Sequence, residues 1–209
     1  SKVHEGNEHH ISAWLQHGLN TFQSMQLKTS FNKDAFISML NMLGAELRKN
    51  PGKPFSEVAA ECSKVGVALI HTPKAEGVPI NGVVRWLDGQ PMIQLSERYK
   101  SADIFWFSFF HEAGHVVLHG SSGDFIELDN SEKESAVESE ADMFASKHLL
   151  NDEAFEEVMV QASQWRQIDF EQWSNRTQTH PIYLLGRLKK KGLVKYGRFS
   201  CFQVEPNLA

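Results

Sequence analysis

Residues 101–119 constrain the fold more than any other part of this chain. Ser101 stands where a helix N-cap belongs, and Asp103 falls in the first turn, where a carboxylate meets the positive end of the helix dipole. From there Ile104, Phe105, Trp106, Phe107, Phe109, Phe110, Val116, Val117 and Leu118 put apolar groups on every side of a helix running to about His119. A helix that is apolar all round must be buried. Set into it are His111, Glu112 and His115, and burying two imidazoles and a carboxylate among aromatic rings is costly unless something compensates them.

The spacing says what that compensation is. In His111-Glu112-Ala113-Gly114-His115 the two histidines, four residues apart on one helix, present both rings to a single point, which suits a zinc ion. Glu112 projects beside that point, where a carboxylate can take a proton from water activated by the ion. A catalytic zinc needs a third protein ligand and an open position. His119 lies about 12 Å along the helix axis from His111, too far to share its metal. Ser121 occupies the place where a longer HExxHxxGxxH pattern would have its third histidine. The ligand is therefore expected from the next helix, whose start is marked by the Ser-x-x-Glu capping box at Ser131 and Glu134 and which runs to about Leu150. On that helix Glu138 shares a face with Ala141, Asp142 and Ala145. The small residues allow close approach, and Asp142, one turn on, can hydrogen-bond a ligand histidine. Glu138 is the first choice for the third ligand. Glu140, on the side of Met143, Phe144 and Lys147, is the second, and Glu134, occupied in the cap, the last.

Around this pair the chain divides into three regions. Residues 1–53 read as a helical N-terminal extension: one helix carries Ile11, Trp14, Leu15 and Leu19, and a second, from near Asp34, carries Phe36, Met39, Leu40, Leu43 and Leu47 before Asn50-Pro51-Gly52 ends it. Residues 54–164 form the expected zinc metallopeptidase core. It opens with a helix closed by Gly66, a strand over 67–71, and two strands over 80–87 and 91–95 about Asp88-Gly89-Gln90, a strong hairpin signal. Asn151 can cap the helix that follows. Residues 165–209 read as a C-terminal helical and basic extension packing on that core. The fold class is α+β, with a small, mostly antiparallel sheet packed on the zinc helix.

Composition narrows the rest. No stretch approaches the roughly 18 apolar residues needed to cross a bilayer, and no secretory leader pattern is present, so a soluble, cytoplasmic protein with no membrane partner is expected. Cys62 and Cys201 are too few for a disulfide framework and fit a reducing compartment. The net charge of -5 is unevenly spread: residues 124–157 hold 12 acids and 2 lysines, whereas residues 187–198 hold six bases and no acid. The acidic part favours a divalent cation. The basic part, on an amphipathic helix after His180-Pro181, reads foremost as a helix covering the core, with its lysines at the negative end of the dipole. His4, His9, His10, His17, His71 and His148 lack ligand spacing.

HEAGHVVLH followed by ESEADMFASKHLL resembles the ImmA/IrrE-type metallopeptidases, whose pattern is a HExGHxLLH helix and then an ExEAxxFAxxLL helix. Upstream, residues 79–87, Ile93-Gln94-Leu95-Ser96, Arg98-Tyr99-Lys100 and Phe105-Trp106-Phe107 are similar to the version fused behind a Cro-type helix-turn-helix, often described as a HigA-like antidote or phage-type regulator. The resemblance covers about residues 55–150. It implies a gluzincin-like domain with one zinc per chain on His111, His115 and Glu138, Glu112 as general base, and a protein substrate such as a repressor or toxin-antitoxin component. Residues 1–53 carry no such DNA-binding pattern, so DNA contact is expected only through a missing or separate domain.

Two functions of different class follow. One is a zinc endopeptidase acting on a regulatory protein. The other is an antitoxin- or transcription-regulator-like protein whose metal site is structural or vestigial and which acts by binding protein or DNA. For the first, a peptide could add as a strand beside residues 92–95; no oxyanion donor is identifiable, and Arg98, Tyr99, His180 and Arg187, all within the possible set, each read first as structural.

Overall fold

A computed structural model describes residues 2–120, 132–150 and 152–209. In chain order come α1 (Lys2–Met25), α2 (Lys33–Lys49), α3 (Phe55–Lys64), β1 (Ala68–His71), β2 (Gly82–Leu87), β3 (Gln90–Leu95), α4 (Ala102–Gly114), α5 (Glu132–Leu149), α6 (Asp152–Met159), α7 (Gln167–Thr177) and α8 (Pro181–Lys190). Ser131, Asn151 and the side chains of His4 and Glu134, assigned caps or candidate roles from the sequence, lie outside the described residues.

The β2–β3 hairpin closes in two residues, Leu87 pairing with Gln90, and both loop residues, Asp88 (φ 51°) and Gly89 (φ 77°), take the left-handed conformation that matches the strand twist. β1 then pairs parallel with β3, Ala68 opposite Met92, giving the order β1-β3-β2. The sheet is mostly antiparallel, six residue partners in β2–β3 against four in the parallel β1–β3 pair, which ten residues of loop between β1 and β2 allow. The order overturns residues 92–95 as the strand edge for a peptide. β3 is central and bonded on both sides; β2 and β1 are the edges among the described residues.

Alternation along the strands sends side chains to two covered faces. Leu69, Val84, Ile93 and Leu95 join the main core with Phe36, Leu40 and Leu47 of α2, Trp106, Phe109 and Phe110 of α4, and Leu184 and Leu188 of α8. Ala68, Ile70 and Met92 face the other way, onto Phe22 and Met25 of α1, while Trp14 packs on Val78 and Val83. The buried Gln94 fastens α1 there: its Nε2 donates to the Trp14 carbonyl at 2.7 Å and to Thr72 Oγ1 at 2.9 Å, and Arg85 donates to the Leu15 carbonyl at 2.6 Å. Gly18 leaves room for this, since a Cβ at that position would lie 2.0 Å from Gln94 Oε1. Held by α1, Val78 and Ile80 fix the loop that leads into β2 beside the site.

α4 begins at Ala102 with Ser101 in the extended N-cap conformation, but the Ser101 hydroxyl makes no cap bond and turns instead to the Asp103 carboxylate. α5 lies directly against α4. Ala141 and Ala145 are fully buried, and a Cβ on Gly114 would stand 3.2 Å from the Ala141 Cα, so only small residues permit the approach. Beyond Gly114 the helix widens: the Gly120 N–H bonds the His115 carbonyl five residues back at 3.1 Å, making residues 115–119 a π-helical turn. Such turns are rare and recur at functional sites.

Candidate metal centre

α4 supplies two imidazoles and α5 a carboxylate to one small volume. His111 Nε2 lies 3.1 Å from His115 Nε2 and 3.0 Å from Glu138 Oε2, and His115 Nε2 lies 3.4 Å from Glu138 Oε1. Three atoms bound at about 2.0–2.1 Å to one tetrahedral ion would sit about 3.3 Å apart. The donor set therefore fits a divalent metal.

Each ring is held from its far side. His111 Nδ1 is 2.9 Å from Asp142 Oδ1. His115 Nδ1 is 3.1 Å from His119 Nδ1, and His119 Nε2 is 3.0 Å from Glu140 Oε2. His119 and Glu140, considered from the sequence as third ligands, thus stand together one step outward, behind His115. The widened turn that brings His119 onto the outer nitrogen of His115 has no sequence marker.

Glu112 is buried beneath the edge strand. Burial pushes its carboxyl up to about 7; the His111 charge pulls it down, Glu138 adds to the rise, and the Val84 backbone N–H works against it. Gly82 faces it, with room for no side chain. Burial, with the neighbouring His111 and His119 charges, lowers His115 to about 4, so its ring is neutral and able to donate a lone pair. His111 moves the opposite way: burial opposes protonation, and the Asp142 hydrogen bond with the Glu112 and Glu138 charges outweighs it. Asp142 is lowered in turn, first by its hydrogen bond to His111.

These groups open into a pocket of about 430 Å³ whose opposite wall is the loop and edge segment 79–83. The four candidate oxyanion donors do not line it. Arg98 donates to the Pro79 carbonyl and covers Tyr99, His180 caps α8 by accepting from the Ile182 N–H, and Arg187 holds the Leu150 carbonyl and Asp152. Asn81, passed over in the sequence, does line it, and its Oδ1 is buried with no hydrogen-bond partner among the described residues. His148 stacks on Phe110 at 4.7 Å and His71 bonds Glu97 at 2.6 Å, both away from the centre.

Two histidines one helical turn apart, a carboxylate from the adjoining helix and a buried glutamate beside a sheet edge define a metallopeptidase-type domain. Residues 62–179 match the family described as Peptidase_M78, IrrE N-terminal-like domain, and the chain belongs to this family of metal-dependent peptidases. Comparison with curated proteins returns no match. No described helix is long and apolar enough to cross a membrane.

Proposed function

We propose that this protein is a zinc-dependent endopeptidase that hydrolyses a peptide bond in a regulatory protein, such as a repressor or toxin-antitoxin component, in the cytoplasm. The observation that carries the catalytic reading is the convergence of His111, His115 and Glu138 beside the buried Glu112 carboxylate. The regulatory substrate rests on the resemblance of residues 79–150 to peptidase domains of phage-type regulators.

His111, His115 and Glu138 would hold the ion. When bound, zinc supplies Lewis acidity toward a carbonyl oxygen and lowers the pKa of water toward about 7. The protein's own groups do the rest. Glu112, poised near neutrality by burial, accepts a proton from the attacking water and returns it to the departing amine nitrogen. Asp142 accepts from His111 Nδ1–H and fixes that ring with its Nε2 lone pair inward; His119, backed by Glu140, does the same for His115. The outer edge of β2 and the loop before it offer backbone groups along which a peptide can lie as an added strand, and the Asn81 carboxamide is available to it.

Glu112→Gln is the test, because it removes the proton carrier and leaves the three ligands. A peptide-library digest that is cut by the wild type, and by the variant at least roughly a thousandfold more slowly with metal retained, supports the reading. Equal cutting by both proteins contradicts it. A variant that loses cleavage yet still acts fully on a protein or DNA partner favours the regulator reading.

A further inference from the structure

The metal pocket does not end at Phe107. It opens into a larger groove of about 1050 Å³ between α4 and α8, the two sharing Asn81, Phe107, Ser108 and Asp142 as walls. Ile104, Phe107 and Ser108 lie seven, four and three residues before His111 on one face of α4, so the groove follows that helix away from the metal centre. At 1.5 Å per residue, Ile104 lies about 10 Å from His111 along the axis. An extended peptide covers that in about three residues.

Charge changes sign along this path. At the metal end stand Glu112, Glu138 and Asp142; along the groove stand Lys100, Lys189, Lys190 and Lys191, with Arg187 already tied to Asp152. Lys190 Nζ sits 5.6 Å from the centre of the Phe107 ring, and that ring is 6.4 Å from the His111 ring. A cation is therefore placed one helical turn from the first metal-binding histidine. Two acids share the groove and feel these lysines, Asp103 that of Lys189 and Asp142 that of Lys190, but neither pair closes to an ion pair: Asp142 holds His111, and Asp103, buried and contacted by the Ser101 hydroxyl, fills the space that Gly186 leaves beside it. Ile104, Phe107 and Leu185 give the same groove an apolar floor.

We propose that this groove selects an acidic side chain two or three residues to one side of the scissile bond, held by Lys189 and Lys190, with the apolar floor taking its neighbour. The substrate class is thereby an acidic-apolar peptide segment. Glutamate is drawn to the lysine end, and that one-sided attraction sets the direction in which the peptide lies. A lysine at the same position meets Lys190 and is rejected. The inference rests on the peptidase reading for the position of the scissile bond, but its test does not require turnover.

The test uses the full chain carrying Glu112→Gln and fluorescein-labelled peptides of one leucine-centred sequence, with Glu, Gln or Lys two and three residues after the centre or, in a second set, before it. Anisotropy in low salt is expected to give about fivefold tighter binding of the Glu peptide than of the Gln peptide in one set only, a preference that fades in high salt. Lys189→Gln with Lys190→Gln abolishes the preference, and Lys189→Glu with Lys190→Glu reverses it toward the Lys peptide. Both pairs leave the buried Leu184, Leu185 and Leu188 of α8 in place. Equal binding of the Glu and Gln peptides, a preference unchanged by either lysine pair, no binding of any peptide, or displacement of bound Glu peptide by short duplex DNA overturns the proposal. A wild-type protein that cuts nothing while the preference persists overturns the proposed function alone; one that cuts without regard to Glu overturns the groove alone.

Discussion

Gly82 and Glu112 occupy one space: a Cβ added to Gly82 would lie 2.9 Å from both Cγ and Oε1 of Glu112. The edge strand and the proposed proton carrier are thus fitted to each other at the first residue of β2. Gly82 has no positive φ, so alanine is compatible with the backbone and its methyl presses on the carboxylate and, at 3.0 Å, on Leu95 Cδ2. Gly82→Ala is expected to lower kcat by about ten- to a hundredfold through displacement of Glu112, with metal content unchanged. Steady-state kinetics with metal analysis on the same preparation checks this, and an unaltered kcat would show that the contact has no bearing on Glu112.

His119 touches His115 from behind and is itself held by Glu140. Outer partners of this kind orient a ligand ring and raise its basicity. His119→Ala is expected to weaken metal binding by about tenfold or more, and Glu140→Gln by less, since it acts one bond further out. Competition against a chromogenic chelator measures both. Affinities equal to wild type would make the pair structural only.

Glu97 gives the fold a defined acid sensitivity away from the centre. Burial raises its carboxyl, but hydrogen bonds from His71, 2.6 Å away, and from its own and the Lys74 backbone N–H outweigh this and lower it overall. A carboxylate whose folded pKa is depressed contributes stability above its unfolded value, about 4.3, and loses it as pH falls through the folded value. Glu97→Gln should therefore lower the urea midpoint at pH 7 and narrow the gap between pH 7 and pH 3. A midpoint that shifts equally at both pH values would mean that His71–Glu97 contributes only packing.

Local patterns made the central helices readable and left the long-range relations hidden. The all-round apolar character of residues 104–118 implies a buried helix, and most of α4 is, with Phe109 and Phe110 fully enclosed, whereas Ile104 and Phe107 line the groove and Leu118, in the widened turn, is exposed. Four-residue spacing brings His111 onto His115, and Ala141 with Ala145 lets α5 close upon Gly114. The Asp88-Gly89 turn is equally local. Strand order is not: β1 meets β3 across some two dozen residues, and nothing in residues 90–95 says that both sides will be paired. Gln94 is invisible for the same reason, as its burial depends on α1 covering that face. Regular helical rise carries His119 away from His111; its contact is with the other nitrogen of His115, reached through a widened turn. Ser101 is the residue type of a cap, but its hydroxyl donates to the Asp103 carboxylate and its oxygen accepts from Gln203 Nε2, a partner 102 residues away that no local pattern announces.

Titration of zinc into metal-free protein, followed by calorimetry, tests the proposed centre most directly when wild type and Glu138→Gln are run side by side. Glu138 is half exposed, so its replacement removes the proposed third ligand without opening the core. The expected result is one zinc per wild-type chain and affinity reduced by at least about a hundredfold in the variant. No binding by the wild type, or equal binding by both proteins, would contradict a metal centre built on His111, His115 and Glu138.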